Sequence, residues 1–467
     1  MSELNVLYIY SAIPHFTGAV RDYDCAFGIH SRHRISYFNA DAVRLSFKLD
    51  NFDVIIFSFS FFSNGDFFMG RDLINKIADF KGVKIAIFQD EYDYLLRYRK
   101  ILPELKLTGI ITIVPEESIH KVYGDIKKSG VDFINALTGY VTDEAMTASP
   151  RHVPLEARSW HIGYRGRKVP FKYGRLTQEK YIIGREMERI CAEHNIPANI
   201  SVDDNDRIYG DAWKDFISNC RTVLGTESGS NVFDFDGTLV PKIQQFIVEH
   251  PDADFDTIER EFLKDREQEI RINQISPRIF EAISLKTGLV LFEGEYSGII
   301  RPWEHYIPLK KDFSNIDQVL AAVNDLPRLE KMIESAYRDI IISGKYSYAA
   351  FIAKIDDYIE KKHAGIRNNS LPVLGIVAWR DADGNLKPCK NQSIDCPTST
   401  PVKSNDHLAE PVLVLRLNMN ALQRKMFFHY SRFSRSRIGH AVRDTVNRLG
   451  WCKVLIRKLV RTMTGRS

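Results

Sequence analysis

The segment Ser276-Pro277-Arg278-Ile279-Phe280-Glu281 combines residue types that suit an anionic ligand. Serine is a favoured N-cap and proline a favoured first helical residue, so a short helix is predicted to start here. Gly288 is its expected C-cap, and the apolar run at 289–292 is an expected buried strand. Free N–H groups and the positive dipole end of such a helix attract phosphate, and Arg278 adds a guanidinium. Glu281 lies about one turn further in, within reach of a sugar hydroxyl. Together these residues describe a nucleotide-diphosphate pocket.

The stretch resembles the donor-binding helix of group 1 glycosyltransferases of the GT-B fold, and most of all their divergent spore-maturation-protein-like branch. The resemblance implies that Glu281 binds the nucleotide ribose. It also implies an arginine–lysine element after the first strand of the same domain, where this chain has Gly163-Tyr164-Arg165-Gly166-Arg167-Lys168. Arg165 or Arg167 matches the arginine, and the lysine stays open among Lys168, Lys172 and Lys180. Lys172 enters the expected donor set with both arginines. Arginine forks suit phosphate oxygens, and glycine lets the backbone approach them. The family has a first glutamate eight residues before the second, but this chain has Asn273 there. Glu227, in Gly225-Thr226-Glu227-Ser228-Gly229-Ser230, is the expected replacement, with Ser228 beside it and residues 231–274 as an insertion.

On the acceptor side, Gln89-Asp90-Glu91-Tyr92 follows the fourth predicted strand. Asp90 or Glu91 there could orient an acceptor hydroxyl or remove its proton. His15, in the loop after the first strand, is a further candidate base or polar contact. A competing motif is Phe233-Asp234-Phe235-Asp236-Gly237-Thr238, which matches the signature of haloacid-dehalogenase-like phosphatases. In that reading Asp234 is the nucleophile, Asp236 the acid/base and Mg²⁺ the cofactor. Its nucleophile should end a buried strand, whereas Asp234 follows Gly229-Ser230-Asn231. A non-catalytic nucleotide-binding adaptor is the third alternative.

These residues need elements to carry them. Strands are predicted at 5–10, 34–38, 54–62, 83–88, 109–113 and 133–137, with helical periodicity between them. That alternation implies a doubly wound parallel sheet over residues 1–141. Residues 142–155 read as a linker, and a second α/β unit spans 158–330. Its strands are expected at 161–164, 198–202, 221–225, 289–292 and 306–309. A long helical segment is expected at 239–271, and closing helices at 331–363. The expected class is therefore α/β, with two Rossmann-like domains in GT-B arrangement. A low-order connection is expected over 364–422, with one hairpin pairing 373–379 with 411–415.

The net charge of +4 is unevenly placed. Residues 424–467 hold twelve Lys/Arg against Asp444 alone, interleaved with Phe427, Phe428, Tyr430, Phe433 and Trp451. Such a segment at 423–467 suits an amphipathic helix on an anionic membrane, at ~1 kcal/mol per basic residue. Nucleic acid is the competing anion but not an expected partner, because no recognition fold accompanies the tail. No signal peptide is evident, and the six cysteines show neither metal nor disulfide spacing, which suits free thiols in a cytoplasm. The expected function is sugar transfer from a nucleotide-diphosphate donor to an acceptor hydroxyl. The glycan or lipid-linked acceptor would belong to cell-surface polysaccharide or glycolipid assembly, with no metal and no cofactor beyond the donor. The expected place is the cytoplasm or the inner membrane face.

Overall fold

The computed structural model describes residues 3–11, 18–40, 49–63, 71–93, 95–147, 153–267, 269–366, 378–380 and 386–388. His15 and the 423–467 tail lie outside them, as do most of the 364–422 connection and the 411–415 half of the expected hairpin. Residues 378–380 instead pair with 386–388. Among the described residues no helix is long and apolar enough to cross a membrane.

The first sheet is fully parallel. It contains β1 (Asn5–Tyr10), β2 (Arg34–Asn39), β3 (Val54–Phe57), β4 (Val83–Ile87), β5 (Gly109–Thr112) and β6 (Asp132–Asn135), in the order β2-β1-β3-β4-β5-β6. Its central strands are apolar but for Lys84, Val-Ile-Ile-Phe in β3 and Val-Lys-Ile-Ala-Ile in β4, and buried along their whole length. Parallel strands covered by helices on both faces require such runs. The helix after β1 is α1 (Gly18–His30).

The second sheet is also parallel, with β7 (Trp160–Arg165), β8 (Ala198–Ser201), β9 (Cys220–Gly225), β10 (Gly288–Phe292) and β11 (Ile307–Leu309) in the order β11-β10-β9-β7-β8. Its helices include α2 (Arg175–Glu193), α3 (Asp211–Ser218), α4 (Leu239–Glu249) and α5 (Pro277–Ser284). Two doubly wound parallel domains are the architecture that the resemblance implied.

The chain then returns. Helix α6 (Tyr348–Ala364) packs on the first sheet, burying Phe351, Ile352, Ile355 and Ile359, with Tyr140 stacked on Phe351 at 4.4 Å. The outward and return crossings meet where Val141 pairs with Ser347. The Val141 N–H donates to the Tyr346 carbonyl at 2.8 Å, and the Val141 carbonyl accepts from the Tyr348 N–H at 3.0 Å.

A second tie is the excursion 231–275. Phe233, Ile270 and Ile272 sit in the first-domain core although the strands on either side, β9 and β10, belong to the second sheet. The expected continuous helix at 239–271 is interrupted after Glu249. Pro251 cannot continue it, and Asp254 caps a new turn by accepting from the Thr257 N–H at 2.9 Å.

Three smaller expectations also change. The strand at 54–62 ends at Phe57, because the Ser58 hydroxyl accepts from the Ser60 N–H at 3.1 Å and starts the helix Phe59–Ser63. The 142–155 linker contains a helix, Asp143–Thr147. Cys191 and Cys220 are free, but Cys25 is disulfide-bonded, so free thiols are not the rule at every position.

Gly229 shows how tightly the excursion is fastened. Its φ is +111°, and a Cβ there would lie 2.0 Å from the Ile272 carbonyl oxygen. Gly229→Ala is therefore expected to cost on the order of 3 kcal/mol, read as a lowered thermal unfolding midpoint. An unchanged midpoint would show that the excursion is not held at this point.

Candidate functional site

The strand order of the second sheet reverses between β7 and β9, so the loops leaving these two strands diverge and open a crevice. Gly166 and Arg167 leave β7, and Thr226–Gly229 leave β9. Helix α5 begins beside them. The loop after β4, residues 89–93, faces them from the first domain, with Lys172 Nζ 2.9 Å from Asp93 Oδ1.

Arg165 and Arg167 have different roles. The Arg165 guanidinium is committed within the domain. It donates to the carbonyls of Tyr164 (2.8 Å), Asn199 (3.0 Å) and Asp206 (3.1 Å) and to Asn199 Oδ1 (2.7 Å), and it lies 4.4 Å from the centre of the Phe216 ring. Arg167 is exposed and makes no such bond among the described residues. Between them, a Cβ on Gly166 would meet the Tyr164 ring at 2.5 Å and the Lys180 carbonyl at 3.0 Å, so the glycine lets this turn press against α2.

That contact sets Lys180, one of the three lysines left open, behind the turn. Lys180, in the second turn of α2, is half-buried, and its ammonium has no hydrogen-bond acceptor among the described residues. Burial pushes it down to about 8, assisted by repulsion from Arg167 and Arg278 and opposed by Asp90 and Glu179. Arg167, Lys180 and Arg278 thus form a cluster of like charge. Lys172, by contrast, is tied to Asp93, which also accepts from the Tyr173 hydroxyl at 2.7 Å.

Helix α5 has Ser276 at its N-cap and Pro277 at N1, as expected. The Ser276 side chain makes no capping bond, Pro277 has no N–H, and the Ile279 N–H donates to the Ser276 carbonyl at 2.9 Å, so the Arg278 N–H is the first-turn donor without a bond among the described residues. At the other end, the left-handed residue is Lys286 (φ 51°), not Gly288. Gly288 opens β10, where a Cβ would meet Leu329 at 2.8 Å. Arg278 Nη1 donates to the Arg165 carbonyl at 2.8 Å. Glu281 Oε2 accepts from Trp213 Nε1 at 2.8 Å, and its Oε1 has no partner among the described residues. Burial raises the Glu281 carboxyl, while Trp213 and Arg278 pull it back.

Glu227 meets Asn273, the very position where the second glutamate's partner was expected. Asn273 Nδ2 donates to Glu227 Oε2 at 2.6 Å. Glu227 Oε1 accepts from the N–H groups of Glu295 (3.0 Å) and Tyr296 (2.7 Å). The carboxylate is 2% exposed, so it organises the turn after β10 and has no oxygen open to the crevice. Ser228 contributes its backbone, exchanging two 2.8 Å bonds with Gln274.

Asp90 and Glu91, adjacent in sequence, part company. Asp90 is exposed on the crevice side, bonded by the Tyr92 hydroxyl at 2.6 Å and attracted by Lys180. Glu91 is 0% exposed and points into the first domain, accepting from the Thr112 and Tyr123 hydroxyls. It cannot meet an acceptor there, which corrects its expected role. The phosphatase motif fails on geometry as well. Asp234 accepts from the N–H groups of Leu239 (3.1 Å) and Val240 (3.0 Å), and Asp236 from the Thr238 N–H at 3.0 Å. Asp234 caps α4 and Asp236 holds the turn before it, and neither ends a strand. Trp213 went unremarked in the sequence, where it reads as one apolar residue of an amphipathic helix. Its only signal is the i, i+3 spacing from Phe216.

Glu91 also sets a pH dependence. Burial pushes its carboxyl up to about 7, and Oε2 is unpaired among the described residues. The protonated form is favoured in the folded state. Its stabilising contribution is complete below the unfolded value of ~4.3 and is lost as pH rises through 7. Glu91→Gln is therefore expected to raise the unfolding midpoint relative to the unaltered protein more at pH 8 than at pH 5. Equal differences at both pH values would contradict this.

No protein-family model matches the chain, and no curated protein matches it. Among solved structures, the chain is similar to TarM at 14% identity, covering 66% of this chain and 54% of that one, with a TM-score of 0.33. It therefore spans about half of TarM. It is similar to Anabaena HepE in complex with UDP at 9% identity, covering 77% and 100%, with a TM-score of 0.44. It is also similar to an alpha-glucosyltransferase in complex with UDP-glucose and DNA containing an abasic site, at 10% identity, covering 77% and 100%, with a TM-score of 0.45. With values this low, the fold is read from the strand order and the chemistry from the side chains.

Proposed function

We propose that the chain is a GT-B glycosyltransferase that binds a nucleotide-diphosphate sugar in the crevice of its second domain. The observation that carries this reading is the convergence of Arg167, Lys180 and Arg278 beside the first turn of α5, with the free oxygen of Glu281 one turn away. Three cations and a helix dipole suit a diphosphate, whose charge grows as the sugar leaves. Glu281 offers an acceptor to a ribose hydroxyl. Asp90, on the opposite wall, is the described carboxylate best placed to orient an acceptor hydroxyl or take its proton.

The cationic cluster supplies positive charge where other sites use a metal, so transfer is proposed to proceed without one. The finer reading, an acceptor in cell-surface polysaccharide or glycolipid assembly at the inner membrane face, is supported by the basic aromatic segment 424–467 alone.

A thermal-shift and calorimetry panel of UDP, GDP, TDP and their sugars tests the reading, with and without EDTA. At least one nucleoside diphosphate should bind without metal, and Glu281→Ala should weaken it at least tenfold. Binding should need protonated Lys180, so affinity is expected to fall about tenfold between pH 7 and pH 9. Lys180→Met should bind weakly at both. No binding by any nucleotide would refute the reading.

A further inference from the structure

We propose that Trp213 is the positioning residue of this crevice, holding Glu281 and Arg278 together in the geometry in which they meet the nucleotide. The inference rests on the donor-site reading above.

Trp213 engages both side chains by different chemistry. Its indole N–H donates to Glu281 Oε2 at 2.8 Å, and the Arg278 guanidinium carbon lies 5.1 Å from its ring centre. Arg278 and Glu281 are i, i+3 neighbours on α5, and Trp213 and Phe216 are i, i+3 neighbours on α3. The two helices therefore present matched pairs. The Trp213 and Phe216 rings are stacked at 5.7 Å, and Phe216 in turn carries Arg165 at 4.4 Å. The Arg165 carbonyl accepts from Arg278 at 2.8 Å and closes the circuit.

The physical consequence is preorganisation. A half-buried glutamate at the edge of a cleft has several rotamers, and an exposed arginine has more. Tying Oε2 to the indole fixes the plane of the Glu281 carboxylate and leaves Oε1 directed to the ligand. Stacking fixes the Arg278 fork without using its N–H donors. Binding then needs less ordering of side chains, and affinity rises without a new contact to the ligand. The groups that act electrostatically on Glu281 are Arg278 and Lys214 of the second domain and Asp22 of the first. The indole N–H favours the ionised carboxylate, so its loss should move the acid limb of binding to higher pH.

The test is UDP, GDP and TDP binding by calorimetry from pH 5 to 8, using the full chain. Trp213→Phe keeps an aromatic face for Arg278 but removes the N–H. It should weaken binding about tenfold and shift the acid limb upward. Trp213→Leu removes both contacts and should weaken binding further. In a Glu281→Gln background, Trp213→Phe should cost much less than it does alone, because the two residues act through one bond. This coupling separates positioning from a general loss of stability, which would lower the unfolding midpoint equally in both backgrounds. If the unaltered protein binds while both Trp213 variants keep its affinity and pH profile, the inference is overturned and the donor site stands. A variant that binds poorly only because it unfolds, with additive losses in the double variant, also overturns it. If the unaltered protein binds no nucleotide, the donor-site reading fails and this inference falls with it.

Discussion

Like charges held close together beside the first turn of α5 are the constraint on which this structure turns. Burial pushes Lys180 toward its neutral form, and repulsion from Arg167 and Arg278 adds to this against the pull of Asp90 and Glu179. A folded chain keeps such a cluster only if other interactions fix its backbone. Here they do so through residues whose polar groups are largely bonded within the protein. Arg165 fastens β7 to β8, Gly166 lets the turn touch α2, and Glu227 fastens the turn after β10. The arginine and glutamate that look most like ligands in these loops are therefore scaffold, and the cations they support remain available.

Two domains flank this cluster, and among the described residues the connections between them include three. The paired crossings at Val141 and Ser347 form one. The Lys172–Asp93 pair, with Tyr173, forms the second. The 231–275 excursion, with Phe233 and Ile272 buried in the first-domain core, forms the third. The excursion starts and ends at the Ser228–Gln274 bridge, immediately before α5. The loop that fixes the domains and helix α5 are thus joined at one point.

Much of this was legible in the sequence, for identifiable reasons. Apolar runs such as Val54–Phe57 and Gly288–Phe292 can only be buried strands in an alternating chain, and Ser276-Pro277 marks a helix start. The side-chain roles were less legible. Adjacent residues at a strand end point in opposite directions, so Asp90 and Glu91 could not be told apart without coordinates. Lys168, Lys172 and Lys180 differ only in which element carries them, and only packing shows that Gly166 rests on the Lys180 backbone. Trp213 reads as core because its ring stacks on Phe216, whereas the N–H at its edge reaches Glu281. The exchange of Asn273 and Glu227 was visible as a broken spacing. That Glu227 would turn inward toward backbone N–H groups was not.

The central claim is that the cluster at the start of α5 is the diphosphate site. Amide hydrogen exchange with and without saturating UDP, GDP or TDP tests it most directly. The account predicts slowed exchange at 165–168 and 276–281 with the nucleotide that binds, while the capping loop at 234–240 is unchanged. Protection at 234–240 without any at 276–281, or no protection with any of the three, would contradict it.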